Sequence, residues 1–198
     1  MTNKILFLKW MKNLFYVQCI ALIGMMIGQL SFIGSWFEWI TNLITLAEVY
    51  CLYQLIPVNE RYRKAFKFSG IAVGLTIVKN VTSLDLFSIV ISICSLVGLY
   101  QEFSGHAEVL LTIDNKLSKK WHTLFNWNLF GSIIVALISV PVIMLAAIVT
   151  VFDSDLLGIF AAGIVVVYTV IIQIVYLIYL KRTHDVCEKY EHWVEDIV

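Results

Sequence analysis

Long apolar runs without a charged side chain dominate the pattern of this sequence. A membrane's hydrocarbon core is about 30 Å thick, and a helix needs roughly 20 apolar residues to cross it. Three runs contain no charged residue and are long enough to span: 13–37, 129–152 and 156–180. A fourth run, 39–57, holds one carboxylate, Glu48, and ends at Pro57, where a helix boundary is expected. These runs predict four transmembrane helices.

The stretch from 68 to 101 fits either one long helix or two short ones, and the positive charges decide between them. With two helices, 68–83 and 85–101, the chain has six spans and both termini lie on one side. Thirteen of the fourteen Lys and Arg residues then fall on that side, and only Lys79 lies near the other. Such asymmetry is what the positive-inside rule describes. We therefore predict an all-α membrane protein with six transmembrane helices in three hairpins and both termini cytoplasmic.

The segment 104–125, between the fourth and fifth spans, has a different pattern. Its apolar residues recur at helical spacing, with charged residues on the other faces; they are Leu110, Ile113, Leu117, Trp121 and Leu124. This predicts one cytoplasmic amphipathic helix that lies in the headgroup layer or packs against a partner. We expect the tail 181–198 to continue the sixth helix into the cytoplasm and to dock its apolar end on this helix.

Composition excludes an ordinary soluble protein. The 198 residues are 60% hydrophobic and 14% charged, with a mean hydropathy of +0.86, whereas soluble domains average about 25% charged residues. Fourteen acidic residues balance the fourteen basic ones, so no nucleic-acid partner is expected. The four cysteines show no short pairing that predicts a disulfide or a zinc finger. We expect a single membrane domain over 1–198, surrounded by lipid, in a bacterial cytoplasmic membrane.

Glu48 is the residue most indicative of function, because it lies near the middle of the second span. A charged carboxylate there costs on the order of 2.5 to 3.5 kcal/mol, so its side chain must face protein or water. Thr45 lies on the same helix stripe and Asn42 is close by. The polar residues that complete a predicted intramembrane site are Gln18, Gln29 and Gln173 from the first and sixth spans and Lys79 from the third. Such a site suits proton coupling or a neutral hydrogen-bonded plug.

The histidines form a second pattern, on the predicted cytoplasmic side. His184, Glu188 and His192 share one helix face, and Glu102 precedes His106 by four residues. Imidazole and carboxylate groups are ligands for zinc and iron, so these five residues are a candidate metal set. The same spacings are common on solvated helices, and we predict no cofactor, with zinc or iron as the alternative.

The sequence contains no phosphate-binding glycine loop, no zincin motif and no nucleophile elbow, so no catalytic residue is assigned. Three hypotheses follow. The first is a non-catalytic accessory, scaffold or immunity-type component that meets a protein partner at its cytoplasmic face. The second is a small transporter or channel that uses Glu48. The third is a metal-dependent membrane enzyme that uses the histidines.

Overall fold

The computed structural model describes residues 3–28, 36–82, 85–148 and 154–190, and these residues are helical apart from short connections. The helices are α1 (Asn3–Gly28), α2 (Trp36–Leu55), α3 (Glu60–Thr82), α4 (Ser88–Leu110), α5 (Asn115–Ile148) and α6 (Ser154–Lys189), with a 3₁₀ turn over Asp85–Phe87. The predicted all-α class is confirmed for the described residues, and each predicted span corresponds to one helix.

Within the described residues, three helical segments are long and apolar enough to cross a membrane: Asn3–Gly28, Ser88–Leu110 and Gly163–Lys189. Large apolar side chains on the helices are exposed, among them Ile20, Leu43, Ile71 and Ile93. Lipid tails are as apolar as these side chains, so a surface of this kind suits a bilayer. The other three crossings and the orientation of the chain stay predictions.

The domain predicted over 1–198 contains two compact units. The first comprises Met1–His122 with Leu177–Val198, and the second comprises Thr123–Tyr176. In the first unit α1 packs on α2, α2 on α3, and α3 along α4. In the second unit the Tyr168 hydroxyl donates a hydrogen bond to the Trp127 carbonyl (2.6 Å).

The single amphipathic helix predicted over 104–125 is wrong. Helix α4 continues to Leu110, the chain turns, and α5 begins at Asn115. The physical reason is a local cap, because the Asp114 carboxylate accepts the Leu117 N–H (3.0 Å) and so starts a new helix. Four of the five predicted apolar residues, Leu110, Leu117, Trp121 and Leu124, are at most 4% exposed. Their stripe is therefore buried in the chain and is open neither to the headgroup layer nor to a partner.

Helix α6 extends beyond Leu180 as far as Lys189, and the position of this end in the cytoplasm stays a prediction. At 1.5 Å per residue, α6 is about 54 Å long and exceeds a hydrocarbon core of about 30 Å. The Lys4 ammonium donates hydrogen bonds to the carbonyls of Glu188 and Tyr190, which ties the end of α6 to the start of α1. Residues 191–198, with the predicted apolar end of the tail, lie outside the described residues.

The start of α3 is fixed against the end of α4. Asn59 accepts the Arg61 N–H (2.7 Å) as a cap, and the Arg61 guanidinium pairs with Glu108 (2.7 Å). On α4, a Cβ at Gly105 would lie 3.0 Å from the Tyr62 ring. Glycine at 105 therefore lets the Tyr62 ring lie directly against α4, where it reaches the site described next.

Candidate functional site

A cavity of about 370 Å³ lies among α2, α3 and α4 in the first unit. Its polar lining comprises Thr45, Glu48, Ser69, Thr76, Ser95 and Glu102, and its apolar lining comprises Val49, Ala72, Val73 and Leu99. Two of these residues are carboxylic acids from different helices, and none is positively charged. We call this space the carboxylate cavity.

The two acids of the carboxylate cavity influence each other. Gln18, only 4% exposed, contributes a side-chain hydrogen bond to Glu48, and Glu102 is close enough to Glu48 for their negative charges to repel. Two carboxylates that share a site are not both stable as anions unless a proton or a cation neutralises one of them. The electrostatics of the cavity therefore favour a positively charged ligand or a bound proton.

The structure brings together part of the polar site predicted around Glu48. Thr45 lines the cavity while its hydroxyl donates to the Thr41 carbonyl (2.9 Å). Asn42 is 8% exposed, and its Nδ2 has no hydrogen-bond partner among the described residues. Lys79 does not line the cavity, and its ammonium donates to the Ser88 hydroxyl (2.8 Å). Gln173 belongs to the second unit. Gln29 lies outside the described residues.

A buried histidine adjoins the carboxylate cavity. His106 is 0% exposed, its Nδ1 is hydrogen-bonded to the Tyr62 hydroxyl (2.8 Å), and its Nε2 lies 3.5 Å from the Glu102 carboxylate. The ring centroid of Trp121 is 4.6 Å from that of His106. We call Glu102, His106 and Tyr62 the histidine network.

The hydrogen bond between Tyr62 and His106 is linked to which ring nitrogen of His106 carries the proton. Burial raises the pKa of Tyr62 well above its usual range, and the negative charges of Glu102 and Glu108 act in the same direction. The phenol therefore stays protonated, and its hydroxyl donates to Nδ1 of one neutral tautomer of the ring or accepts from Nδ1–H of the other. In the tautomer whose Nδ1 accepts from Tyr62, the ring proton is on Nε2. This Nε2 has no hydrogen-bond partner among the described residues and is directed at Glu102.

Tyr62→Phe is expected to destabilise the protein by about 1 to 3 kcal/mol, because it leaves His106 Nδ1 buried without a partner. Thermal unfolding in detergent measures the effect. Tyr53→Phe is the matched control, since the Tyr53 side chain is 51% exposed and loses its hydroxyl at no comparable penalty. Equal midpoints for the two variants would show that the Tyr62–His106 hydrogen bond contributes nothing to stability.

The candidate metal set is not assembled among the described residues. The one group there with three metal-ligating side chains close together is His184, Asp185 and Glu188. His184 and Glu188 were expected in such a set, Asp185 was not, and His192 lies outside the described residues. Lys12 and Lys181 line a second cavity together with His184, and their positive charges disfavour a metal cation there. Glu102 and His106 belong to the histidine network instead.

Glu102 is the cavity residue that sequence reasoning grouped with the histidines and not with Glu48. It directly follows the predicted fourth span, so it resembles an interfacial acid, and its partner Glu48 is on another helix. The only signal in the sequence was the four-residue spacing to His106, which indicates a shared helix face but not burial.

Comparisons of the chain with protein-family models, with curated proteins and with solved structures gave no match. The function of the protein must therefore be inferred from the chemistry of the site.

Proposed function

We propose that this protein is a small multi-pass membrane transporter that binds an organic ammonium cation in the carboxylate cavity. The observation that supports this proposal is the presence of Glu48 and Glu102, from α2 and α4, in a cavity whose lining contains no positive charge. The predicted six-span arrangement with cytoplasmic termini belongs to the same proposal. An ionisable site among membrane helices is typical of transporters and ion pathways.

The size and the lining of the cavity favour an organic cation over a metal ion. A volume of about 370 Å³ exceeds by roughly tenfold the share of liquid volume of one water molecule, about 30 Å³. Among the described residues, the group of three clustered metal-ligating side chains lies elsewhere, so Glu48 and Glu102 lack the further ligands that a bare metal ion needs. Val49, Ala72 and Leu99 offer apolar contact to alkyl substituents.

The fold also weakens the main support for the accessory-protein hypothesis. That hypothesis rests on the lack of catalytic motifs and on docking surface in the cytoplasmic segments, namely the tail and the apolar face predicted over 104–125. Trp121 and Leu117, at the centre of this face, are 0% and 1% exposed. A buried face does not recruit a partner, and we therefore place transport ahead of the accessory role.

Tetramethylammonium and tetraethylammonium are the probes that test this proposal. Both are permanently charged, so neither crosses a bilayer as a neutral amine. We expect the purified protein to bind at least one of them and to take it up into proteoliposomes. Glu48→Gln and Glu102→Gln should each weaken binding at least tenfold, or about 1.4 kcal/mol, because each removes a negative charge from the cavity.

Glu60→Gln provides the matched control. Glu60 undergoes the same chemical change, but its side chain is 60% exposed and pairs with Arg63 on the surface of α3. Circular dichroism and gel filtration verify that all three variants remain folded. Failure of the wild-type protein to bind either probe, or equal binding by the three variants, would refute the proposal.

A further inference from the structure

His106 is the titratable side chain whose position the proposed transport function does not yet explain. Its Nε2 atom has no hydrogen-bond partner among the described residues and is directed at the Glu102 carboxylate. Glu102 also lines the carboxylate cavity. The charged, titratable and aromatic groups around the histidine network come from five helices: Glu48 from α2, Tyr62 and Arg61 from α3, Glu102 and Glu108 from α4, Trp121 from α5 and the buried Cys187 from α6. Arg61 pairs with Glu108, which leaves Glu102 as the carboxylate that His106 faces directly.

We propose that the protein exchanges its cation for a proton, because a bound cation and a protonated His106 exclude each other. This inference rests on the proposed function and specifies how the site releases its ligand. His106 acts on the cation through Glu102 and is therefore a positioning residue, whereas Glu102 is the group that touches the cation.

The competition follows from one carboxylate facing two cations. When His106 is protonated, its Nε2–H and the Glu102 carboxylate form a buried ion pair, and Glu102 no longer offers a net negative charge to the cavity. When an ammonium ion occupies the cavity, its charge repels the imidazolium. Each cation weakens the binding of the other by the same factor, as linkage requires.

The exchange balances in atoms and in charge. On one side are the imidazolium, the Glu102 carboxylate and a free ammonium ion; on the other are the neutral imidazole, the ammonium–carboxylate pair and a proton released to water. Only an N–H bond of His106 breaks, and no oxidant or reductant takes part. In the tautomer whose Nδ1 accepts from Tyr62, the proton that leaves is the one on Nδ1 and the proton on Nε2 stays.

The Tyr62 hydroxyl is hydrogen-bonded to Nδ1 of His106 and can therefore contact that proton. The hydroxyl donates to Nδ1 of the neutral ring in that tautomer and, after rotation, accepts from Nδ1–H of the imidazolium. The Arg61 and Glu108 side chains nearby are 34% and 40% exposed, so water reaches this end of α3. Tyr62 and Glu102 contact different nitrogens of the ring, and the cation binds on the Glu102 side.

Proton release on cation binding is the test. Tetramethylammonium chloride is added to the purified wild-type protein in weak buffer with a pH-sensitive dye, and sodium chloride at equal ionic strength is the reference. We expect release approaching one proton per bound cation wherever His106 is protonated before the cation is added. The affinity for tetramethylammonium should fall as the pH falls, by up to tenfold per pH unit.

His106→Gln should retain binding at high pH but lose most of the pH dependence and of the proton release. His122→Gln is the control, because the exposed His122 undergoes the same change and should behave as the wild type. Nitrogen NMR of histidine-labelled wild-type protein gives a second readout without a substitution in the core: one histidine should shift from imidazolium to neutral when tetramethylammonium binds.

The possible failures are distinguishable. Absence of tetramethylammonium and tetraethylammonium binding at every pH overturns the proposed function. Binding without proton release, a histidine spectrum unchanged by the cation, or a His106→Gln variant with the wild-type pH profile overturns only the proton exchange.

Discussion

Trp121→Ala is expected to destabilise the protein by about 3 to 5 kcal/mol, the range for removal of a large buried aromatic side chain. The indole is 0% exposed and is surrounded by rings. Its centroid lies 5.1 Å from that of Phe103, 4.6 Å from that of His106 and 5.8 Å from that of Tyr179. Truncation to alanine leaves a void among α4, α5 and α6 that these rings fill only in part.

The polar end of the indole adds to this effect. Its N–H donates a hydrogen bond to the Thr183 hydroxyl (3.0 Å), and both groups are buried. Trp121→Phe keeps an aromatic ring but removes the donor, so we expect an intermediate loss of about 1 to 3 kcal/mol. The ordering of wild type, Trp121→Phe and Trp121→Ala separates the contribution of packing from that of the hydrogen bond.

Unfolding in detergent, followed by circular dichroism, measures these losses, and Trp127→Ala is the matched control. Trp127 is on the same helix but is 66% exposed, so its truncation should change stability by only about 0.5 kcal/mol. Comparable losses of stability in Trp121→Ala and Trp127→Ala would contradict the buried position of Trp121. They would instead favour the sequence-based expectation that this segment lies on the membrane surface.

That expectation shows what periodicity can and cannot establish. Spacing of three or four residues predicted a helix around Leu117 and Trp121, and a helix is there. The same spacing continued back to Leu110 across the turn, so periodicity alone gave no sign that two helices meet. The signal for the break was Asp114, a good N-cap residue three positions before Leu117, in the middle of an otherwise regular pattern.

The helices can be predicted from the sequence, because a helix that crosses a bilayer requires a long apolar run. Such runs can be recognised without any knowledge of tertiary structure. The site does not follow in this way. Glu48 is conspicuous because it interrupts an apolar run, but its relation to Glu102 depends on how α2, α3 and α4 pack. The burial of His106 depends on Tyr62, which lies 44 positions away in the sequence. Contacts of this range are properties of the folded chain.

Gly98→Leu is expected to abolish cation binding and to destabilise the α3–α4 pair by about 1 to 3 kcal/mol, as overpacking does. A Cβ at Gly98 would lie 2.5 Å from the Ser69 hydroxyl and 3.2 Å from the Ser69 backbone nitrogen. The Ser69 side chain can rotate away from the added atoms, but the Ser69 backbone cannot. Helices α3 and α4 must therefore separate. Ser69, Ser95 and Leu99 line the carboxylate cavity, and separation at this point changes the shape of its wall.

Gly74→Leu is the control that isolates this close approach. A Cβ at Gly74 meets no atom within 4 Å, so leucine is tolerated there and improves helix propensity by about 1 kcal/mol. Tetramethylammonium binding and thermal unfolding are measured for both variants.

A second pair of variants, Gly98→Ala with and without Ser69→Ala, tests the same contact. Removal of the Ser69 hydroxyl should restore part of the stability that Gly98→Ala loses. Full binding by Gly98→Leu would mean that the cavity does not depend on the α3–α4 contact, and the site would then have to be sought outside these two helices.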